Sequence, residues 1–109
     1  MSSVREFKRG ATFLLPCVYT DDSGTPASIA GLTITCHVRR VSGDVLVGQS
    51  VVTVLDEDAG AFECEIAADV TDGWDLVRHA VDIRYLSDDG RVDYTETVFF
   101  TVVQEITRA

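Results

Sequence analysis

The stretch AVDIRYLSDDGRVDYTETVFFTVV, residues 80–103, decides the fold class. Val81, Ile83 and Tyr85 alternate with Asp82 and Arg84, giving one apolar and one charged face at the period of a strand. Asp88-Asp89-Gly90 then marks a tight turn. Glycine reaches positive φ without a Cβ clash, and aspartate bonds its own backbone. From residue 92 to 103 the chain returns in Val, Thr, Tyr and Phe, which suit a pleated, half-buried surface. Two strands alone are marginal in water, so the rest of the chain must cover their apolar side.

The upstream chain supplies that cover. Phe62, Cys64 and Ile66 alternate with Glu63 and Glu65, and Leu32, Ile34, Cys36 and Val38 alternate with Thr33, Thr35, His37 and Arg39. Phe13, Leu15, Cys17 and Tyr19 form a third apolar row. It is interrupted by Pro16, which cannot donate to a ladder and so predicts an edge strand or a bend. Residues 45–55 are β-rich and split near Gly48. DDSGTP at 21–26, SGD at 42–44 and DEDAG at 56–60 are turn compositions. Residues 67–74 break the pattern but are too few for a full helix. They predict one helical turn, with Asp69 or Thr71 positioned to cap it. The reading is an all-β, immunoglobulin-like sandwich of two antiparallel sheets with about seven or eight strands. Residues 1–10 are a leading arm and 11–109 one domain.

The 109 residues suffice for one core, and 46% hydrophobic content argues against disorder. No apolar run approaches the roughly 20 residues of a membrane helix. MSSVREFKRG has charge without an apolar run behind it, so no signal peptide is expected and folding in a cytoplasm is. Cys17, Cys36 and Cys64 form no C-x-x-C pair and read as core thiols, with a pairing between two of them left open. Eighteen acids against nine bases give a charge of −9, which opposes a nucleic-acid backbone and favours solubility.

Reactive chemistry is sparse. Asp56, Glu57, Asp58 and Gly60 resemble part of a calcium loop, but Ala67 stands where the bidentate Glu is needed, and aspartate is common in turns for backbone reasons. His37 and His79 read as polar-face strand residues, and Cys36 and His37 are neighbours that point to opposite faces. There is no nucleophile motif and no Gly-rich phosphate loop. No enzyme activity, catalytic residue, cofactor, metal, membrane or small-molecule substrate is expected.

Surface hints are clearer. Trp74 interrupts strand periodicity and reads either as an interface anchor or as a plug at the end of the core. Adjacent Phe99 and Phe100 face opposite sides of one strand. With Phe100, Val98 and Val102 inside, Phe99 and Val103 form a second apolar face, to be covered by another subunit or by the arm. A bulge near Thr95 would exchange the two phenylalanines. Arg5, Phe7 and Lys8 of the arm complete the candidate contact residues.

Several short segments resemble the immunoglobulin-like module at the N-terminus of baseplate upper and tail-fibre attachment proteins of tailed bacteriophages. They are Arg9-Gly10-Ala11-Thr12-Phe13, Gly24-Thr25-Pro26, Ile29-Ala30-Gly31-Leu32-Thr33-Ile34, Gly60-Ala61-Phe62, Trp74, Val81-Asp82-Ile83-Arg84-Tyr85, Asp89-Gly90 and Thr95-Glu96-Thr97-Val98. The family carries Asp where this chain has Ala11. The resemblance implies a non-enzymatic virion part, an adaptor in a tail or baseplate, present in several copies and bound to other structural proteins. An acidic inhibitor domain and a carbohydrate-binding sandwich are the alternatives.

Overall fold

The alternating segments become strands in the computed structural model, which describes residues 5–107. In chain order these are β1 (Glu6–Lys8), β2 (Phe13–Val18), β3 (Thr33–Arg40), β4 (Val45–Gln49), β5 (Val51–Asp56) and β6 (Ala61–Ile66). A four-residue helix, α1 (Ala68–Thr71), precedes β7 (Arg78–Leu86), β8 (Val92–Tyr94) and β9 (Val98–Val103). The strands form two packed sheets, so the chain is an all-β sandwich. The larger sheet runs β1-β9-β7-β3-β4, with β8 also on β7, and the smaller runs β2-β6-β5.

Pro16 sits on β2, at the edge of the smaller sheet, where its missing N–H breaks no central ladder. Ser50 alone separates β4 from β5, and the chain changes sheets there, close to the break expected at Gly48. Gly48 is needed for a different reason: a Cβ on it would lie 2.8 Å from Ile66 Cδ1 and 3.2 Å from Trp74 Cζ2.

The opening hairpin differs from a plain ribbon. Residues 84–86 of β7 pair with β8 in one register, but residues 78–81 pair with β9 displaced by one residue. Thr95 sits at the shift: its Oγ1 accepts the Ile83 N–H at 3.0 Å, and its own N–H donates to the Ile83 carbonyl at 2.9 Å. The unshifted hairpin register would set Phe99 opposite inward His79. The displacement sets Phe100 there, so Phe100 and Val102 point inward and Phe99 outward, the sides expected without a bulge, and the expected exchange does not occur.

The arm forms β1, and the pairing is parallel, Glu6 with Thr101 and Lys8 with Val103. The described part of the arm, residues 5–10, therefore extends the edge of β9 and does not cover the outer face that Phe99 occupies. The expected helical turn is α1, but neither expected cap operates. Ala67 is the N-cap residue without a side-chain bond, and buried Thr71 donates instead to the Ala11 carbonyl at 2.7 Å. That bond ties the helix to the start of β2.

The core lies between the sheets, with Phe13, Cys36, Val38, Phe62, Cys64, Ile66, Val81, Ile83, Phe100 and Val102 all buried. Trp74 is only 3% exposed and closes one end. Its ring meets Phe7 at 5.5 Å and Phe13 at 6.0 Å between centroids, and its indole N–H donates to the Val47 carbonyl at 3.0 Å.

Candidate functional site

The outer face of the larger sheet is set by strand parity. Thr35, His37 and Arg39 of β3 point away from the core, as do Ala80, Asp82 and Arg84 of β7. Together with Phe99 they line a shallow groove of about 610 Å³. Phe99 is 44% exposed, and the Arg78 guanidinium carbon stands 4.1 Å above its ring centre. Arg39 reaches Asp44 at 4.0 Å, whereas Arg84 and Asp82 have no ion-pair partner among the described residues. The face thus carries fixed charges of both signs around two exposed aromatic rings, Phe99 and Tyr94.

The smaller sheet is open too. Leu14 and Val18 of β2 and Val51 and Leu55 of β5 are exposed, with Glu63 and Glu65 of β6 between the two strands. Rows of apolar side chains flanking carboxylates are unusual on a face that meets only water.

The six contact residues expected from the sequence divide between surface and interior. Phe99 is on the outer face, half-buried Val103 shares its side of β9, and Lys8 is exposed on β1. Arg5 is exposed, and its carbonyl accepts the Thr101 N–H at 2.9 Å. Phe7 and Trp74 point inward and pack on each other, on Phe13 and on Phe100. Of the two roles weighed for Trp74, its placement is that of the plug.

The histidines part company. His37 is partly exposed on the outer face. His79 corrects the expectation of a polar-face residue, because it is fully buried. It shares parity with Val81, Ile83 and Tyr85, and its ring stacks between Trp74 at 5.4 Å and Phe100 at 5.8 Å. Its Nδ1–H donates to the Val77 carbonyl at 2.9 Å, while Nε2 is buried without a partner.

The cysteines converge from both sheets. All three are free; Cys36 and Cys64 are buried and Cys17 is partly so. Hydrogen bonding to Cys64, followed by burial, pushes the Cys17 and Cys36 thiols up. The same two contacts push the Cys64 thiol down. No group of three or more His, Cys, Asp or Glu among the described residues is arranged to hold a metal. In the turn that resembled a calcium loop, Asp56 Oδ1 accepts the Ala59 N–H at 3.2 Å, an ordinary turn bond.

No protein-family model matches this chain, and no curated protein matches it.

Tyr19-Thr20-Asp21-Asp22-Ser23-Gly24 and Tyr85-Leu86-Ser87-Asp88-Asp89-Gly90 are similar turn sequences. The structure brings the two to the same end of the sandwich, where Tyr19 and Tyr85 meet edge-to-face at 4.8 Å. Asp21 Oδ1 accepts from the Ser23 hydroxyl and from the Ser23 and Thr25 amides. Asp89 Oδ1 accepts from the Ser87 hydroxyl and the Arg91 amide. The serine hydroxyls, with the backbone donors behind them, hold both carboxyls below the usual aspartate range. Two narrow clefts open beside these turns, and they include Asp22, Arg91, Asp93 and Tyr94.

Proposed function

We propose that this chain is a non-enzymatic assembly module, a tail or baseplate adaptor of a tailed-bacteriophage virion that joins other structural proteins in several copies. The observation that carries the docking role is the open outer face of the larger sheet. There Phe99 lies exposed under Arg78, beside Arg84 and Asp82, whose charges have no ion-pair partner among the described residues. An aromatic anchor inside a ring of orientable charges suits a partner surface, because the ring supplies burial and the charges fix register. The exposed apolar rows of the smaller sheet offer a second contact, so one module can stand between two neighbours. The phage setting rests on the resemblance of the short segments around Arg9–Phe13, Gly24–Ile34 and Val81–Tyr85.

Particles purified from the virus that encodes the chain provide the test. The chain is expected in their mass-resolved inventory, and Phe99→Asp is expected to remove it from particles while leaving the melting temperature within a few degrees. Absence of the wild-type chain from particles refutes the virion role. Normal incorporation of the variant refutes the assignment of the face.

A further inference from the structure

We propose that the end of the sandwich where β2 meets the β7–β8 hairpin is a binding site for a neutral sugar, adjoining the outer face of the larger sheet at Tyr94 and the smaller sheet's exposed row at Val18. Two adjoining clefts of about 320 and 170 Å³ open there, and Tyr19, Tyr85, Arg91 and Asp93 wall both. The larger is at the small end of the range for ligand pockets, about 300 Å³ upward, which suits one or two sugar rings.

Tyr85 is the decisive residue. It is only 8% exposed, yet its hydroxyl has no hydrogen-bond partner among the described residues, and what exposure it keeps opens on these two clefts. A phenol so placed is a fixed donor and acceptor waiting for a ligand. Burial, followed by the nearby thiols, pushes its pKa up to about 12, so it stays protonated. Edge-on packing by Tyr19 at 4.8 Å holds the ring in place before any ligand arrives.

The other walls match the remaining parts of a sugar. Tyr94, on the rim, is 63% exposed and offers a ring face to the C–H side of a pyranose. Asp93 and Arg91 are paired at 3.3 Å, and planar acceptors and donors side by side address vicinal hydroxyls. Asp22 supplies another acceptor on the β2 side. Asp22, Asp89 and Asp93 together oppose phosphate or sulfate. Arg91 in the wall opposes a quaternary cation, and Tyr19 and Tyr85 pack on each other and leave no cage between them.

The full chain, labelled with ¹⁵N, is to be titrated with a panel of neutral methyl glycosides and, separately, with choline. At least one glycoside is expected to shift the backbone amides of Thr20, Arg91, Asp93 and Tyr94, with a dissociation constant near about 1 mM, typical of a binding energy of roughly 4 kcal/mol. Tyr94→Ala and Asp93→Asn, both on the rim, are expected to weaken binding at least about tenfold, or 1.4 kcal/mol, with unchanged far-ultraviolet circular dichroism. Three results overturn the proposal: silence of every glycoside at concentrations well above millimolar, shifts that survive both substitutions, and a response to choline alone. None of them bears on incorporation into particles.

Discussion

Replacing Trp74 with alanine removes the ring that meets Phe7, Phe13, His79 and Phe100 at centroid distances of 5.4–6.2 Å. Truncating a buried large aromatic costs about 3–5 kcal/mol, because contacts are lost and the cavity closes only in part. Here the indole N–H bond to Val47 goes as well. The expected loss is therefore at the upper end, about 5 kcal/mol, against a total stability of about 5–15 kcal/mol for a domain of this kind. Trp74→Phe keeps a ring in the site and loses the N–H bond with part of the area, costing about 1–2 kcal/mol. Urea unfolding followed by far-ultraviolet circular dichroism reads both, since the only tryptophan is the one removed. With a slope of about 2 kcal/mol/M, the midpoint falls by roughly 2.5 M for alanine and by about 0.5–1 M for phenylalanine. An alanine shift below about 0.5 M, worth about 1 kcal/mol at that slope, refutes the plug and returns the ring to a contact role.

Gly60 has φ +72°, and a Cβ there would come within 2.3 Å of the Ala27 carbonyl oxygen. Gly60→Ala should lose about 3 kcal/mol or more in thermal or urea melts, and a loss under about 1 kcal/mol contradicts the close approach. His79→Phe keeps a ring between Trp74 and Phe100, removes the unpartnered Nε2, and leaves the Val77 carbonyl still accepting the Val102 N–H at 3.0 Å. Its stability should stay within about 1 kcal/mol of wild type, and a loss above about 2 kcal/mol means the imidazole does something the packing does not account for. In acid, the side chains of Asp21 and Asp89 should titrate below the unperturbed aspartate value of 3.8, because the hydrogen bonds favour their charged forms. Their folded pKa is the lower one, so the turns' stabilisation is present above the unfolded value and is lost as pH falls through the folded value. Carboxyl carbon shifts during an acid titration check this, and midpoints at or above 3.8 contradict it.

Strand parity explains what the sequence made legible. Each inward row, such as Phe62, Cys64 and Ile66, alternates with side chains that tolerate water, so the face is written in every second residue. His79 obeys the same parity, but its polar composition masked it. The ring becomes an interior residue through stacking on Trp74 and Phe100, which come from elsewhere in the chain. The choice between Phe99 and Phe100 depended on a one-residue register shift at Thr95, a possibility visible in sequence but settled only by pairing. β1 has a single apolar residue, Phe7, and a parallel partner 95 positions away in its register, Val102, so no local pattern announces it. The end clefts escaped for the same reason. Tyr19 belongs to the β2 side and Tyr85 to the larger sheet, and only the stacking of two layers brings their similar turns together.

The docking face is tested most directly by a photo-crosslinking amino acid placed at Phe99, with a second variant carrying it at exposed Val92 on the hairpin as the comparison. In assembled particles the probe at position 99 should join the chain to a structural protein, while the probe at position 92 gives little product. Equal products from the two positions, or none from position 99 in particles that contain the chain, would contradict the account.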